Sequence, residues 1–171
     1  MNTASPYPWG VAKLACLLVL TLIAAGCGSS KATAPSSPPQ PGPGKVVFQG
    51  TEWAVVVDGG KATAQHLVGG TWRPAPRGTV KIRVLGPKPN STGNASVPQF
   101  AAALSAGGDL VESAIWVDGV ELLVKGGGLT PTRGTIYGAP ASALTRGKHT
   151  AIAYARSASQ ASAVAWTFSV R

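Results

Sequence analysis

The chain has few of the side chains that build metal sites and covalent cross-links. Of its 171 residues only two are cysteines, two are histidines and six are acidic. Both cysteines, Cys16 and Cys27, lie close to the N-terminus, so the rest of the chain cannot form an internal disulfide. Because histidine, cysteine and carboxylate are the usual metal ligands, we expect neither a metal nor another cofactor.

Long hydrophobic runs are also scarce, and the most prominent one is short. Residues 14–25 read LACLLVLTLIAA, a 12-residue apolar segment that follows Lys13. About 18–20 apolar residues are needed to span a bilayer, whereas a shorter apolar segment after a positive charge is typical of a signal peptide. We therefore predict that residues 1–26 are a signal peptide and that the protein is exported.

Small residues precede the second cysteine. Residues 24–27 read AAGC, which resembles the lipobox of bacterial lipoproteins, with alanine in place of the usual leucine at its first position. The resemblance implies that the thiol of Cys27 receives a diacylglyceryl group. Two acyl chains are sufficient for stable anchoring. We expect an extracytoplasmic protein that is held at the cell membrane by lipid on Cys27.

A low-complexity segment follows this cysteine. Residues 28–44 read GSSKATAPSSPPQPGPG, which is rich in Ser, Pro and Gly and cannot bury apolar surface. We predict a tether over residues 27–44, with the lipidated cysteine at its start. If extended at about 3.1 Å per residue, this tether would separate the folded part from the membrane by up to roughly 50 Å.

Acidic residues are outnumbered along the whole chain. There are 15 Lys and Arg against 6 Asp and Glu, and the net charge of +9 falls only to +8 when the signal peptide with Lys13 is removed. The basic residues occur singly and not in runs. Such a chain has either a generally cationic surface or a specific anionic partner, such as anionic lipid or wall polymer. Nucleic acid is not an expected partner of an exported protein.

Short apolar segments separated by turn signals occupy the chain from residue 45 onward. Their spacing is typical of an antiparallel sandwich or barrel, so the predicted class is all-β. Asp58-Gly59 and Asp118-Gly119 fit tight hairpins, and the glycine clusters, including the triple glycine at 126–128, indicate loops. The predicted strands cover residues 46–49, 53–57, 62–68, 80–85, 100–104, 111–117, 121–125, 135–137, 149–155 and 164–170.

The last 93 residues resemble a known family. The segments VKI, IWVDG, LTRGKHT and WTFSV occur there in the order found in bacterial immunoglobulin-like domains of exported proteins. The resemblance implies an immunoglobulin-like antiparallel sandwich over residues 79–171, with His149 packed and hydrogen-bonded. Residues 45–78 are predicted to form a β-meander that packs on the sandwich, because a unit of about 34 residues is too small to support a core of its own.

Alternation predicts which side chains of the sandwich face inward. It places Trp166 and Phe168 in the core and turns Trp116 outward, and the family pattern turns Ile152 and Tyr154 outward as well. Trp116, Ile152 and Tyr154 thus form one apolar patch, and we favour the interpretation that the meander covers it. Two alternatives remain open: the three residues are a candidate binding patch for a partner or a glycan, or the register is shifted by one residue, which would exchange the two faces.

No motif for nucleophilic catalysis or for phosphate binding occurs in the sequence. The acidic residues mostly flank predicted turns, where solvated charge is ordinary, although a glycosidase pair is possible in principle. The favoured function is therefore a non-catalytic binding or structural module, with an envelope protein or anionic wall polymer as its partner. The alternatives are a polymer-binding accessory subunit of an envelope complex and, less favoured, a hydrolase.

Overall fold

In the computed structural model, residues 38–171 are described, and their regular secondary structure consists of strands without a helix. The predicted signal peptide, Cys27 and the first part of the predicted tether lie outside the described residues. In residues 38–171 no helix has the length and hydrophobicity needed to cross a membrane. The fold class is all-β, as the sequence predicts.

Thirteen strands follow one another within the described residues. The first seven are β1 (Lys45–Gln49), β2 (Trp53–Asp58), β3 (Lys61–Val68), β4 (Thr71–Pro74), β5 (Lys81–Gly86), β6 (Thr92–Gly93) and β7 (Phe100–Ser105). The last six are β8 (Glu112–Val117), β9 (Val120–Glu121), β10 (Lys125–Thr130), β11 (Arg133–Gly138), β12 (Gly147–Arg156) and β13 (Ala161–Val170).

The first four strands form an antiparallel meander sheet in the order β1-β2-β3-β4. Its two tightest turns are glycine pairs: Gly59 and Gly60 have φ of 53° and 77°, and Gly69 and Gly70 have φ of 57° and 77°. A residue with a Cβ rarely adopts positive φ. The glycine pairs therefore allow the two-residue hairpins that connect β2 to β3 and β3 to β4.

The remaining strands form two sheets that face each other across a common core. One has the order β10-β11-β7-β5 and the other has the order β6-β13-β12-β8-β9. All pairs within them are antiparallel except β6 with β13. If β5 and β6 are taken as one divided first strand and the short β9 is set aside, this is the strand order of an immunoglobulin-like sandwich.

The core of the sandwich is built from large rings opposite small side chains. Trp166 and Phe168 of β13 are buried there, as alternation predicts. Phe168 packs edge-on against Phe100 of β7, with ring centroids 5.2 Å apart. The inward residues of the middle part of β12 are the small ones Ala151, Ala153 and Ala155. They leave space between the sheets for the neighbouring rings, which is the close interdigitation that a protein interior requires.

Two predictions between residues 121 and 130 are wrong. The predicted strand 121–125 is a crossover, because residues 122–124 carry the chain from one sheet of the sandwich to the other. Leu122 turns into the core there, and its backbone N–H donates to the carbonyl oxygen of Ile115 at 2.8 Å. The triple glycine at 126–128 is not a loop but lies within β10, an edge strand with an irregular register, where glycine is tolerated.

Candidate functional site

The three residues of the candidate binding patch lie on one face of the second sheet. Ile152 of β12 is directly opposite Trp116 of β8, and Tyr154 follows two residues along β12. The alternate residues Ile115 and Ala153 face the sandwich core instead. The register is therefore the predicted one, and the alternative of a one-residue shift does not apply.

The meander covers this patch. Trp116 and Ile152 are only 3% exposed and Tyr154 is 0% exposed. They pack with Trp53 of β2 in a second apolar cluster, and the ring of Phe48 in β1 lies 5.9 Å from Trp116 and 6.0 Å from Tyr154. This matches the favoured interpretation and corrects the alternative of an open binding patch at Trp116, Ile152 and Tyr154, since packing the meander on them removes large apolar side chains from water.

A cation joins the meander to the sandwich at one end of this covered face. The Nε of Arg156 donates to Oε2 of Glu112 at 2.6 Å. The guanidinium carbon also lies 5.6 Å from the centroid of the Trp53 ring, a distance suited to a cation–π contact. Arg156 belongs to β12 and Trp53 to β2, so this contact connects the two layers.

His149 is buried at the start of β12, and both of its ring nitrogens have a partner. Nδ1 lies 2.7 Å from Oδ2 of Asp118, and Nε2 lies 2.7 Å from the carbonyl oxygen of Thr145. A carbonyl oxygen and an ionised carboxylate can only accept hydrogen bonds, so both bonds form together only when the ring carries two protons. The hydrogen bond to Asp118 raises the pKa of His149 above its ordinary value of 6.5, although burial opposes the shift.

We expect the free energy of unfolding to decrease as the pH rises through the pKa of His149 in the folded protein. Because this pKa is raised, the folded protein binds the proton more tightly than the unfolded chain does. The stabilisation by the protonated His149 is thus complete below about pH 6.5, the pKa in the unfolded chain. It is lost as the pH rises through the higher pKa of the folded protein. Urea midpoints measured between about pH 5 and 9 report the slope, and a His66→Gln background leaves His149 as the single imidazole of the chain.

The matched variant for this experiment is Asp118→Asn. It removes the charge that stabilises the imidazolium but keeps a side-chain oxygen that can accept from the backbone N–H of Thr150, as Oδ1 of Asp118 does at 2.9 Å. The slope with pH should become clearly smaller in this variant. A wild-type midpoint that increases between pH 6.5 and the alkaline end of the range would contradict the prediction.

The outward face of the β10-β11-β7-β5 sheet is basic. Its four strands contain no Asp or Glu. Lys81 and Arg83 project outward from β5, because Ile82 between them packs on the core. Arg133 at the start of β11 is paired with Ser105 of β7, and Ser105 is paired with Lys81. The sheet pairing thus brings cations from distant parts of the chain to one face.

These cations border a shallow cavity of about 940 Å³ that reaches from the segment before β5 across the sheet to β10. Its charged lining residues are all cationic: Arg77, Lys81, Arg83 and Arg133. On the two middle strands and β10, the outward residues that line its floor include the small ones Ala103, Ser105, Gly127 and Thr135. Because long side chains flank short ones, the floor is recessed, and we call this cavity the cationic trough.

The charge of the trough is not neutralised within the described part of the chain. The ion pairs there are Arg156 with Glu112 and His149 with Asp118, and neither involves a residue of the trough. Neighbouring like charges on a sheet repel one another, and a cleft lined by one sign of charge concentrates counter-ions. The trough is therefore suited to an anionic ligand.

Sequence reasoning did not locate the trough, because its basic residues are scattered. The local signal is the segment Lys81-Ile82-Arg83, whose alternation places two cations on the same side of a strand. Arg133 follows only after five further strands, β6 to β10, and its place beside Lys81 and Arg83 depends on the pairing of β7 with both β11 and β5. A count of charges along the chain could not reveal this.

The acidic residues do not assemble into a comparable site. Glu112 and Asp118 are engaged in the two ion pairs described above. Across residues 38–171, His, Cys, Asp and Glu form no group of three or more that could hold a metal ion. A comparison with known protein families and with curated proteins found no match to this chain.

Proposed function

We propose that the protein is a lipid-anchored, extracytoplasmic, non-catalytic module that binds an anionic component of the bacterial cell envelope. The cationic trough is the observation that carries this proposal, because it gathers four cations without a carboxylate. The strands of a sheet hold these side chains at fixed positions, which favours specific binding of an anionic ligand over non-specific electrostatic attraction. Fold alone does not define function, whereas the charges of this face select an anionic ligand.

The N-terminal sequence supports the location. The apolar segment at 14–25 and the AAGC segment that ends at Cys27 are the features of an exported lipoprotein. At the outer side of a membrane the available polyanions are wall polymers and lipid headgroups. We favour an anionic wall polymer over an envelope protein as the partner, because the aromatic patch that would suit a protein partner is already covered by the meander.

Binding to isolated wall material tests this function. The full-length lipoprotein in detergent should be retained on wall fragments at low salt and released progressively as salt is added, because salt screens exposed charges. Fragments from which the anionic polymers have been chemically removed provide the control. Equal retention on the stripped fragments, or no retention on the intact ones, would overturn the proposed function.

The anchor is tested separately with Cys27→Ser. The thiol is the expected acyl acceptor, so the variant should remain unlipidated and keep its signal peptide, whereas the wild-type protein should begin at Cys27 and carry the lipid mass. Mass spectrometry of the membrane fraction distinguishes the two. A wild-type mature chain that begins at any other residue, or that lacks lipid, would show that the lipoprotein assignment is incorrect.

A further inference from the structure

We infer that the ligand of the cationic trough is a single extended polymer chain with repeating phosphodiester groups, which lies across the strands from β5 to β10. This inference rests on the proposed function and makes it specific: it names the chemistry of the anion, its polymeric nature and its path over the sheet. Three features of the trough support it, namely the exposure of its cations, their spacing and the recessed floor.

The exposure of the cations favours a polymer over a small anion. Arg77, Lys81, Arg83 and Arg133 are all exposed, and an exposed ion pair contributes little by itself. The charged residues that line the trough include no buried donor that could hold one compact ion. Useful affinity therefore needs several simultaneous contacts, which a ligand with repeating charges supplies because its later contacts form at high effective concentration.

The spacing of the cations favours charges that are separated by a spacer. Lys81 and Arg83 are two residues apart on one strand, so their backbone positions differ by about 6.8 Å. Lys81 and Arg133 lie in one row but two strands apart, which is about 9.5 Å. A phosphodiester-linked polyol has several backbone bonds between successive charges. Three of the four cations are arginines, whose planar fork pairs with two oxygens of one phosphate.

The recessed floor favours a chain over a membrane surface. A bilayer that approached this face would meet the protruding Lys and Arg side chains and leave the floor empty. A polymer chain is narrow enough to enter the trough and to contact Ala103, Ser105 and Thr135 between the cations. The floor is therefore the feature that distinguishes the two ligands, and the experiment addresses it separately from the charge.

The charge arm of the test uses the full-length lipoprotein in vesicles of uncharged phosphatidylcholine, with poly(glycerol phosphate) as the soluble probe. Arg83→Gln combined with Arg133→Gln should weaken binding by roughly tenfold and reduce the dependence of the binding constant on salt, because fewer counter-ions are released. The matched control combines Arg73→Gln with Arg146→Gln. It removes the same charge from exposed positions outside the trough and should leave binding within about twofold of wild type.

The floor arm leaves all four cations in place. Ala103 is an outward, partly exposed residue of β7, so Ala103→Trp fills the middle of the trough without adding or removing charge. Binding of poly(glycerol phosphate) should decrease by roughly tenfold, because an excluded chain loses contacts on both sides of the obstruction. Leu85→Trp places the same ring at an exposed position of β5 that does not line the trough, and it should leave binding unchanged.

The outcomes separate this inference from the function on which it rests. If the arginine pair weakens binding and Ala103→Trp does not, the anion is held by surface cations outside the floor, as a headgroup layer would be, and the inference of a chain in the trough is overturned. If the two charge variants lose binding equally, the attraction is general and the trough is not the site. Wild-type protein that binds wall fragments but not poly(glycerol phosphate) would overturn the phosphodiester ligand and leave the proposed function standing.

Discussion

Replacing Trp166 with alanine is expected to decrease the free energy of unfolding by about 3–5 kcal/mol, the range for truncating a large buried aromatic residue. Trp166 is 5% exposed and belongs to the core between the two sheets of the sandwich. The small side chains of β12 cannot expand to fill the space, so a cavity remains. Domains of this kind are stable by only about 5–15 kcal/mol, and the urea midpoint of the full-length protein should decrease accordingly.

The variant Trp166→Phe is the control for this experiment. The Nε1 atom of Trp166 is buried and has no hydrogen-bond partner among the described residues. Phenylalanine therefore keeps most of the apolar volume and does not break a hydrogen bond, so its loss of stability should be much smaller than that of the alanine variant. An alanine variant with the wild-type midpoint would show that Trp166 does not contribute to the core.

Deleting residues 45–75, which contain the four strands of the meander, is expected to make the protein aggregate or bind an apolar dye. The deletion exposes Trp116, Ile152 and Tyr154, which are now almost fully buried. An aromatic side chain buries about 150–250 Å², and exposed apolar patches of more than a few hundred Å² are unusual in soluble monomers. Light scattering and the fluorescence of an environment-sensitive dye measure the effect. A deletion variant that stays monomeric and binds no dye would contradict the role of the meander as a cover.

Removing the hydroxyl group of Tyr154 is expected not to destabilise the protein, in contrast to deleting the meander that covers its ring. Burial raises the pKa of Tyr154 well above its usual range, and the negative charge of Glu112 adds to the shift. The hydroxyl oxygen has no hydrogen-bond partner among residues 38–171. Tyr154→Phe removes this unpaired polar atom and keeps the ring, so stability should stay unchanged or increase. A large loss would show that the hydroxyl has a partner in solution.

Much of the fold could be predicted because strand alternation is a local property. In β13 and β8 the period of two identified Trp166 and Phe168 as core residues and Trp116 as a residue of the opposite face. The Asp118-Gly119 hairpin was equally local, since both residues have positive φ, at 52° and 89°. The two-residue strand β6 was not predicted, because its pairing with β13 reflects a distant partner and not its own side chains.

The candidate site was harder to predict than the fold. The alternation of side chains in β8 indicates that Trp116 points away from the sandwich core, but it does not indicate which residues pack on that outer face. The structure shows that Phe48 and Trp53 of the meander lie there. Phe48 gave no signal of this role, since β1 is short and its alternation does not indicate which layer it covers. The burial of the patch thus depends on the packing of the meander sheet on the outer face of the sandwich.

The sequence by itself determined the all-β class and the inward faces of the longest strands, because each of these depends on the order of neighbouring side chains. Only the tertiary structure decided that the aromatic patch is buried and that the cations of β5 and β11 share one open face. These outcomes depend on the pairing of β7 with both β5 and β11 and on the packing of the meander. Such contacts join residues far apart in the chain, so no local pattern encodes them.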